Sequence, residues 1–127
     1  MRVAGIGFRN AADLPSLQNA FDQACAAAGG RAVDAVVTEA AKSRAPVFRA
    51  FAQALGVPGM GITVSDLQDM ITPTQSAKVQ DQFGTGSLCE AAALAAAGPD
   101  AVLLAARVIS GDGMATAAIA VSEGTDS

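Results

Sequence analysis

The sequence predicts an α/β fold: three layers, α/β/α, around a mixed, mostly parallel sheet of about five strands that ends in a C-terminal antiparallel hairpin. Three observations predict it. Short apolar runs alternate with amphipathic helical stretches. Pro opens and Gly closes the helical stretches, the asymmetry expected of true helix ends. Ser110-Gly111-Asp112-Gly113 divides the last two apolar runs and has the composition of a tight turn, so those two runs should be antiparallel. A chain of 127 residues suits one domain, expected over 1–124, with 125–127 as a loose tail.

Each element has its own signal. Arg2 to Phe8 reads as the first strand and runs into Gly7-Phe8-Arg9-Asn10. The first helix should take Asp13 as N-cap and Pro15 in its first turn. Leu14, Leu17, Phe21, Ala24, Cys25 and Ala28 then share one face, and Gly29-Gly30 stops the helix. Ala35 to Thr38 is the second strand. Pro46 opens the second helix, Phe48, Phe51, Ala52 and Leu55 line its buried face, and Gly56 ends it. Gly61 to Val64 reads as a brief strand, with Ser65 capping a turn over Asp66 to Met70. Pro73 kinks the chain, and a helix is expected from about Thr74 to Phe83. Gly84-Thr85-Gly86 breaks it, and a helix started by Ser87 runs to Ala97. Val102 to Ala106 and Met114 to Val121 form the closing hairpin.

Composition excludes several function classes. The chain is 51% hydrophobic with 8 basic and 12 acidic residues, and it lacks His, Trp and Tyr. This is too apolar for a disordered chain. Two cysteines without histidine cannot close a Cys/His zinc site, so no metal is expected. Ser-His and Cys-His catalytic pairs are absent for the same reason. An acidic chain with five Phe as its only aromatics is a poor nucleic-acid binder. Gly98-Pro99-Asp100 interrupts the richest apolar stretch, so no membrane span is expected. The N-terminus does not read as a signal peptide. Cys25 and Cys89 read as buried thiols, and the chain as a cytoplasmic protein.

Three stretches could carry chemistry. Gly5-Ile6-Gly7-Phe8-Arg9-Asn10 stands in the strand-to-helix context of a dinucleotide fingerprint. Asn10 replaces the third Gly, however, and no acid closes a second strand about 20 residues on, so no bound cofactor is expected. The glycines then serve either a tight turn or a backbone-lined ligand loop, with Arg9 able to grip a carboxylate. Arg31, Lys42, Arg44 and Arg49 concentrate positive charge that could hold an anion or simply coat a solvated helix flank. Ser87-x-x-Glu90 has the spacing of a capping box, and the same helix start, preceded by small residues, could present amide donors to an anion.

Taken in order and spacing, these segments resemble the CobE / CbiG C-terminal domain family of cobalamin biosynthesis. The resemblance rests on Gly5-Ile6-Gly7-Phe8-Arg9, Thr38 with Lys42, Leu55-Gly56, Ser76, the stretch Gly84-Thr85-Gly86-Ser87-Leu88-Cys89-Glu90-Ala91-Ala92-Ala93-Leu94, and Thr116-Ala117-Ala118. It covers nearly the whole chain. Asn10 stands where a second basic residue is common, and Arg107 near a usual Lys.

The resemblance implies a part in corrin-ring synthesis. In larger family proteins this domain is fused behind others, and the whole acts as cobalt-precorrin-5A hydrolase, which opens a ring lactone. This chain is similar to the stand-alone form. The implied ligand is a corrin or tetrapyrrole intermediate, an apolar disc fringed with carboxylates. Gly5, Gly7, Arg9, Thr38, Lys42, Ser76, Gly84, Thr85, Gly86 and Ser87 are the candidate binding residues. Glu90 is the candidate base if the chain opens a lactone. A third possibility is a non-catalytic partner of another pathway enzyme. Arg9, Lys42, Ser87 and Glu90 are expected to face one cleft at the carboxyl ends of the parallel strands.

Overall fold

The computed structural model describes residues 1–68, 70, 87–98 and 100–122. The expected helix over 74–83, the tail at 125–127, and Ser76, Gly84, Thr85 and Gly86 lie outside the described residues. Five strands form one sheet in the order β3-β2-β1-β5-β4. They are β1 (Arg2–Phe8), β2 (Ala35–Glu39), β3 (Gly59–Ile62), β4 (Val102–Ile109) and β5 (Ala115–Val121). β1 pairs in parallel with β2, and β2 with β3, while β5 runs antiparallel to both β1 and β4. Four strands therefore point one way and β5 points back, which is the mixed sheet with a closing antiparallel hairpin that the sequence predicts.

Helices cover both faces. α1 (Leu14–Ala28) and α2 (Pro46–Leu55) lie on one side, and α3 (Val64–Gln68) and α4 (Leu88–Ala97) on the other. α1 starts as its composition dictates: the Asp13 side chain accepts the Ser16 N–H. Gly29 and Gly56 end α1 and α2 in the left-handed conformation, at φ 84° and 73°.

Side-chain alternation along β1 sorts the core. Ala4, Ile6 and Phe8 face α1 and α2 among Leu17, Phe21, Phe48 and Phe51. Phe21 meets Phe51 edge-on at 5.6 Å, and Phe8 stacks on Phe48 at 6.2 Å. Val3 faces α4 with Ala93 and Ala97. Gly5 also faces α4, so closely that a Cβ there would lie 1.9 Å from the Cys89 carbonyl oxygen. The missing side chain lets the helix backbone rest on the sheet.

Three local expectations need correction. The third strand is Gly59–Ile62 rather than 61–64, because Gly59 to Ile62 pair with Val36 to Glu39 and the chain turns into α3 at Val64. Thr63 rather than Ser65 accepts at the start of that helix, its Oγ1 taking the Asp66 N–H at 3.2 Å. β4 continues to Ile109, beyond the expected Ala106, by carrying two register shifts against β5.

Candidate functional site

The carboxyl end of β1 gathers the polar groups of the candidate site. β1 leads into Arg9, whose side chain is exposed and whose N–H bonds to the Met114 carbonyl at 2.9 Å. β2 ends at Glu39, and a 3-10 turn follows over Lys42–Arg44. That turn is fixed by Glu39, whose carboxylate accepts the N–H groups of Ala41 at 2.9 Å and Lys42 at 3.2 Å. The fixed turn aims Lys42 back across the strand ends. Its ammonium donates to the Phe8 carbonyl at 2.8 Å and sits 4.7 Å from the centre of the Phe8 ring. Half-burial lowers the Lys42 pKa, and the nearby Glu39 carboxylate partly opposes that. One ammonium hydrogen is committed to Phe8, which leaves two with no described acceptor.

α4 brings its N-terminus to the same end. Leu88 lies 3.8 Å from where a Gly7 Cβ would stand, and Ala93 lies over Gly5, so the helix runs opposite to β1. Its positive dipole end therefore faces the strand carboxyl ends. Thr116 completes this corner, with its Oγ1 3.4 Å from the Gly7 carbonyl.

The individual candidates fare differently. Arg9 is exposed and Lys42 half-buried, both beside Phe8. Thr38 stands at the same end of β2 but is 0% exposed, and its Oγ1 has no hydrogen-bond partner among the described residues. Gly5 lies beneath α4 and Gly7 beneath Leu88 and Thr116, so helix–sheet contact explains both glycines. Ser87 and Glu90 are each 0% exposed and face the interior, not an open cleft shared with Arg9 and Lys42. The expected capping box does not form, because Ser87 makes no side-chain cap bond. Its hydroxyl lies instead 3.6 Å from the Cys89 sulfur. Glu90 accepts the Arg107 N–H at 2.8 Å, across to the irregular stretch of β4. Burial pushes the Cys89 thiol up to about 11, which leaves it unreactive at neutral pH, and Cys25 is raised for the same reason.

The cationic cluster read from the sequence divides. Arg31 precedes β2 and Lys42 follows it, so the strand separates them by about 17 Å at 3.3 Å per residue. Arg31 pairs with Asp22 and covers the Phe21 ring. Arg49 borders a shallow cavity of about 190 Å³ with Ser43, Phe48, Ala52 and Gly59, on the α2 side of the sheet. Sequence reasoning missed Phe8 and Glu39, which hold Lys42 in place. Glu39-x-x-Lys42 is a visible spacing, but only the fold reveals that it closes a turn.

The chain and its fold match known proteins. The family model described as Cobalamin synthesis G C-terminus matches residues 2–120. The chain belongs to this family. Its fold is similar to that of CobE, a protein from the cobalamin (vitamin B12) biosynthetic pathway, at 28% identity over 94% of this chain and 92% of that one, with a TM-score of 0.86. It is similar to the cobalamin biosynthesis protein chiG from Agrobacterium tumefaciens str. C58, at 30% identity over 97% and 99% of the two chains, with a TM-score of 0.74. A cobalamin biosynthesis protein G homologue from Sulfolobus solfataricus shares the fold, with a TM-score of 0.71 at 13% identity; the match covers 98% of this chain and 37% of that one. A comparison with curated proteins finds no match. The Cobalamin synthesis G C-terminus family thus sets the chain among cobalamin-biosynthesis proteins. Among the described residues, no helix is long and apolar enough to cross a membrane.

Proposed function

We propose that this protein binds a corrin-ring intermediate by its peripheral carboxylates, using the carboxyl end of β1. The observation that carries the reading is the Lys42 ammonium, held half-buried on the Phe8 ring and carbonyl, one residue from the exposed Arg9. Two cations spaced along one sheet end suit a ligand with several carboxylates on its rim. The α4 dipole adds a positive field at the same end of the sheet. Family membership supplies the ligand class.

The lactone-hydrolase reading would need Glu90 as base. A carboxylate at 0% exposure that accepts a backbone N–H better suits a positioning role. Binding is therefore the reading the geometry favours, and partnership with another pathway enzyme would be compatible with it.

The test is titration of hydrogenobyrinic acid, a cobalt-free corrin acid, followed by the corrin absorbance. The chain has no Trp or Tyr to interfere. Saturable binding is expected, weakened by roughly three- to tenfold in Lys42→Gln and in Arg9→Gln, as for loss of one partly exposed charge pair. Absence of any spectral change at about 100 µM protein, or equal binding by the double variant, would overturn the proposal.

A further inference from the structure

We infer that the cavity beside Arg49 is a second carboxylate subsite for the same ring that Lys42 holds, an inference that rests on the binding proposed above. The cavity measures about 190 Å³ and is lined by Ser43, Phe48, Arg49, Ala52 and Gly59. Phe48 and Ala52 are buried, so the groups a ligand can reach are Arg49, Ser43 and the backbone of Gly59. The Arg49 guanidinium is exposed and has no ion pair or hydrogen bond among the described residues, whereas Arg31 is paired with Asp22.

Gly59 supplies a second donor. The Val36 N–H bonds to the Pro58 carbonyl at 3.0 Å, and Val36 is the register partner of Gly59. In a parallel ladder this turns the backbone groups on either side of Gly59 toward β2 and those of Gly59 itself outward. Among the described residues β3 is an outer strand, so the Gly59 N–H points to the open edge, where the cavity lies. Gly59 is exposed and has no side chain to cover that N–H. A guanidinium and a backbone N–H flanking one small space form a donor set for a carboxylate, and no lining side chain is acidic.

Two features tie the cavity to the Lys42 site. Ser43, on its wall, follows Lys42 in the same 3-10 turn. Phe48, also on its wall, stacks on Phe8 at 6.2 Å, and Phe8 holds Lys42 by its ring and carbonyl. Phe8 stands on β1 and Gly59 on β3, two strands away, so the subsites are at least about 10 Å apart. One small acid cannot bridge that gap, but carboxylates at separate points of a single ring's rim can.

Titration of hydrogenobyrinic acid, followed both by absorbance and by amide NMR of isotope-labelled protein, tests this. The Gly59 amide resonance should shift as the ring saturates. Arg49→Gln should weaken binding about three- to fivefold with the thermal midpoint unchanged, as for loss of one exposed charge pair. Arg31→Gln removes the same charge from beyond the other end of β2 and should change affinity by less than about twofold. A Gly59 amide that stays still at saturation overturns the inference, as does an Arg49→Gln loss no larger than that of Arg31→Gln. Weakened binding in Lys42→Gln alongside either result leaves the binding reading standing. Sodium propionate that shifts Gly59 when the ring does not assigns the cavity to a separate small acid and also overturns the inference. No corrin binding by the parent chain overturns both.

Discussion

The two faces of the sheet are built on opposite rules. Toward α1 and α2 the core is made of large side chains, with Leu17, Phe21, Phe48 and Phe51 interlocking over Ile6. Toward α4 the centre of the contact is made of small groups: Gly5, Gly7, Ala118 and Ala120 on the sheet meet Ala91, Ala92 and Ala93 on the helix, with Val3, Val37 and Leu88 at its margins. Interlocked side chains can shift rotamers to absorb a change in shape, whereas two backbones in contact cannot. The bulky face therefore supplies most of the apolar burial, and the small face supplies precision. That precision fixes the start of α4 against the end of β1, where Arg9 and Lys42 stand.

The largest expected effect tests this contrast directly. In Gly5→Ala the new methyl would lie 1.9 Å from the Cys89 oxygen and 2.8 Å from the Ala93 nitrogen, both backbone atoms. The helix must lift, and the loss should reach or exceed the upper end of the ~1–3 kcal/mol usual for overpacking. Phe51→Ala, which removes a whole buried ring, should cost about 3–5 kcal/mol. Urea unfolding compares them. If one added methyl on the small face costs as much as a deleted phenyl on the bulky face, the contrast holds. A Gly5→Ala loss below about 1 kcal/mol would show that α4 floats, and the claim of a rigid site would fail with it.

The sequence was most readable where structure is local. The Asp13 cap, the Pro46 start, the Gly29 and Gly56 stops and the Ser110–Gly113 turn each depend on residues within four positions of one another, and each stands where the pattern puts it. The Gly-rich β3 was misplaced by two residues because Gly59 and Gly61 carry no strand signal of their own; pairing with β2 decides their state. The site was less readable for the same reason. Lys42 depends on the Phe8 carbonyl, 34 residues away, and Glu90 on an N–H 17 residues away. Glycine ambiguity added to this. Gly5 and Gly7 look alike whether a ligand or a helix covers them, and only the packing of α4 distinguishes the two.

How each helix is tied to the sheet sharpens the comparison. On the bulky face, the hairpin tip reaches α1 by polar bonds: Asp112 accepts from Ser16 and from Ser110, and Gly111 N–H donates to Asn19 at 2.8 Å. Hydrogen bonds from Ser110, Ser16 and the Met114 N–H lower the Asp112 pKa from 3.8 to about 2. The folded chain thus takes up this proton less readily than the unfolded one. The resulting stability is intact above pH 3.8 and is lost as the pH falls toward 2. Asp112 is exposed, so solvent screens the effect and it should be modest. In acid titrations followed by circular dichroism, the stability gap between the parent and Asp112→Asn should close between pH 4 and 2. A constant gap across that range would assign the tie to shape instead of charge.

The smallest expected effect concerns the start of α4. A Ser at an N-cap that bonds the first turn loses about 0.5–2 kcal/mol on replacement by Ala. Ser87 occupies that position, but its hydroxyl lies beside the Cys89 sulfur and makes no cap bond. What holds the first turn is contact with Gly7 and Gly5 beneath it and the Glu90 carboxylate on β4. Ser87→Ala should therefore change the urea midpoint by less than the equivalent of about 0.5 kcal/mol, because no capping bond is lost and Ala suits a buried position beside Leu88. A loss near 1 kcal/mol would mean that the hydroxyl caps the helix in solution. The placement of α4 would then depend on a local hydrogen bond as well as on the glycine floor.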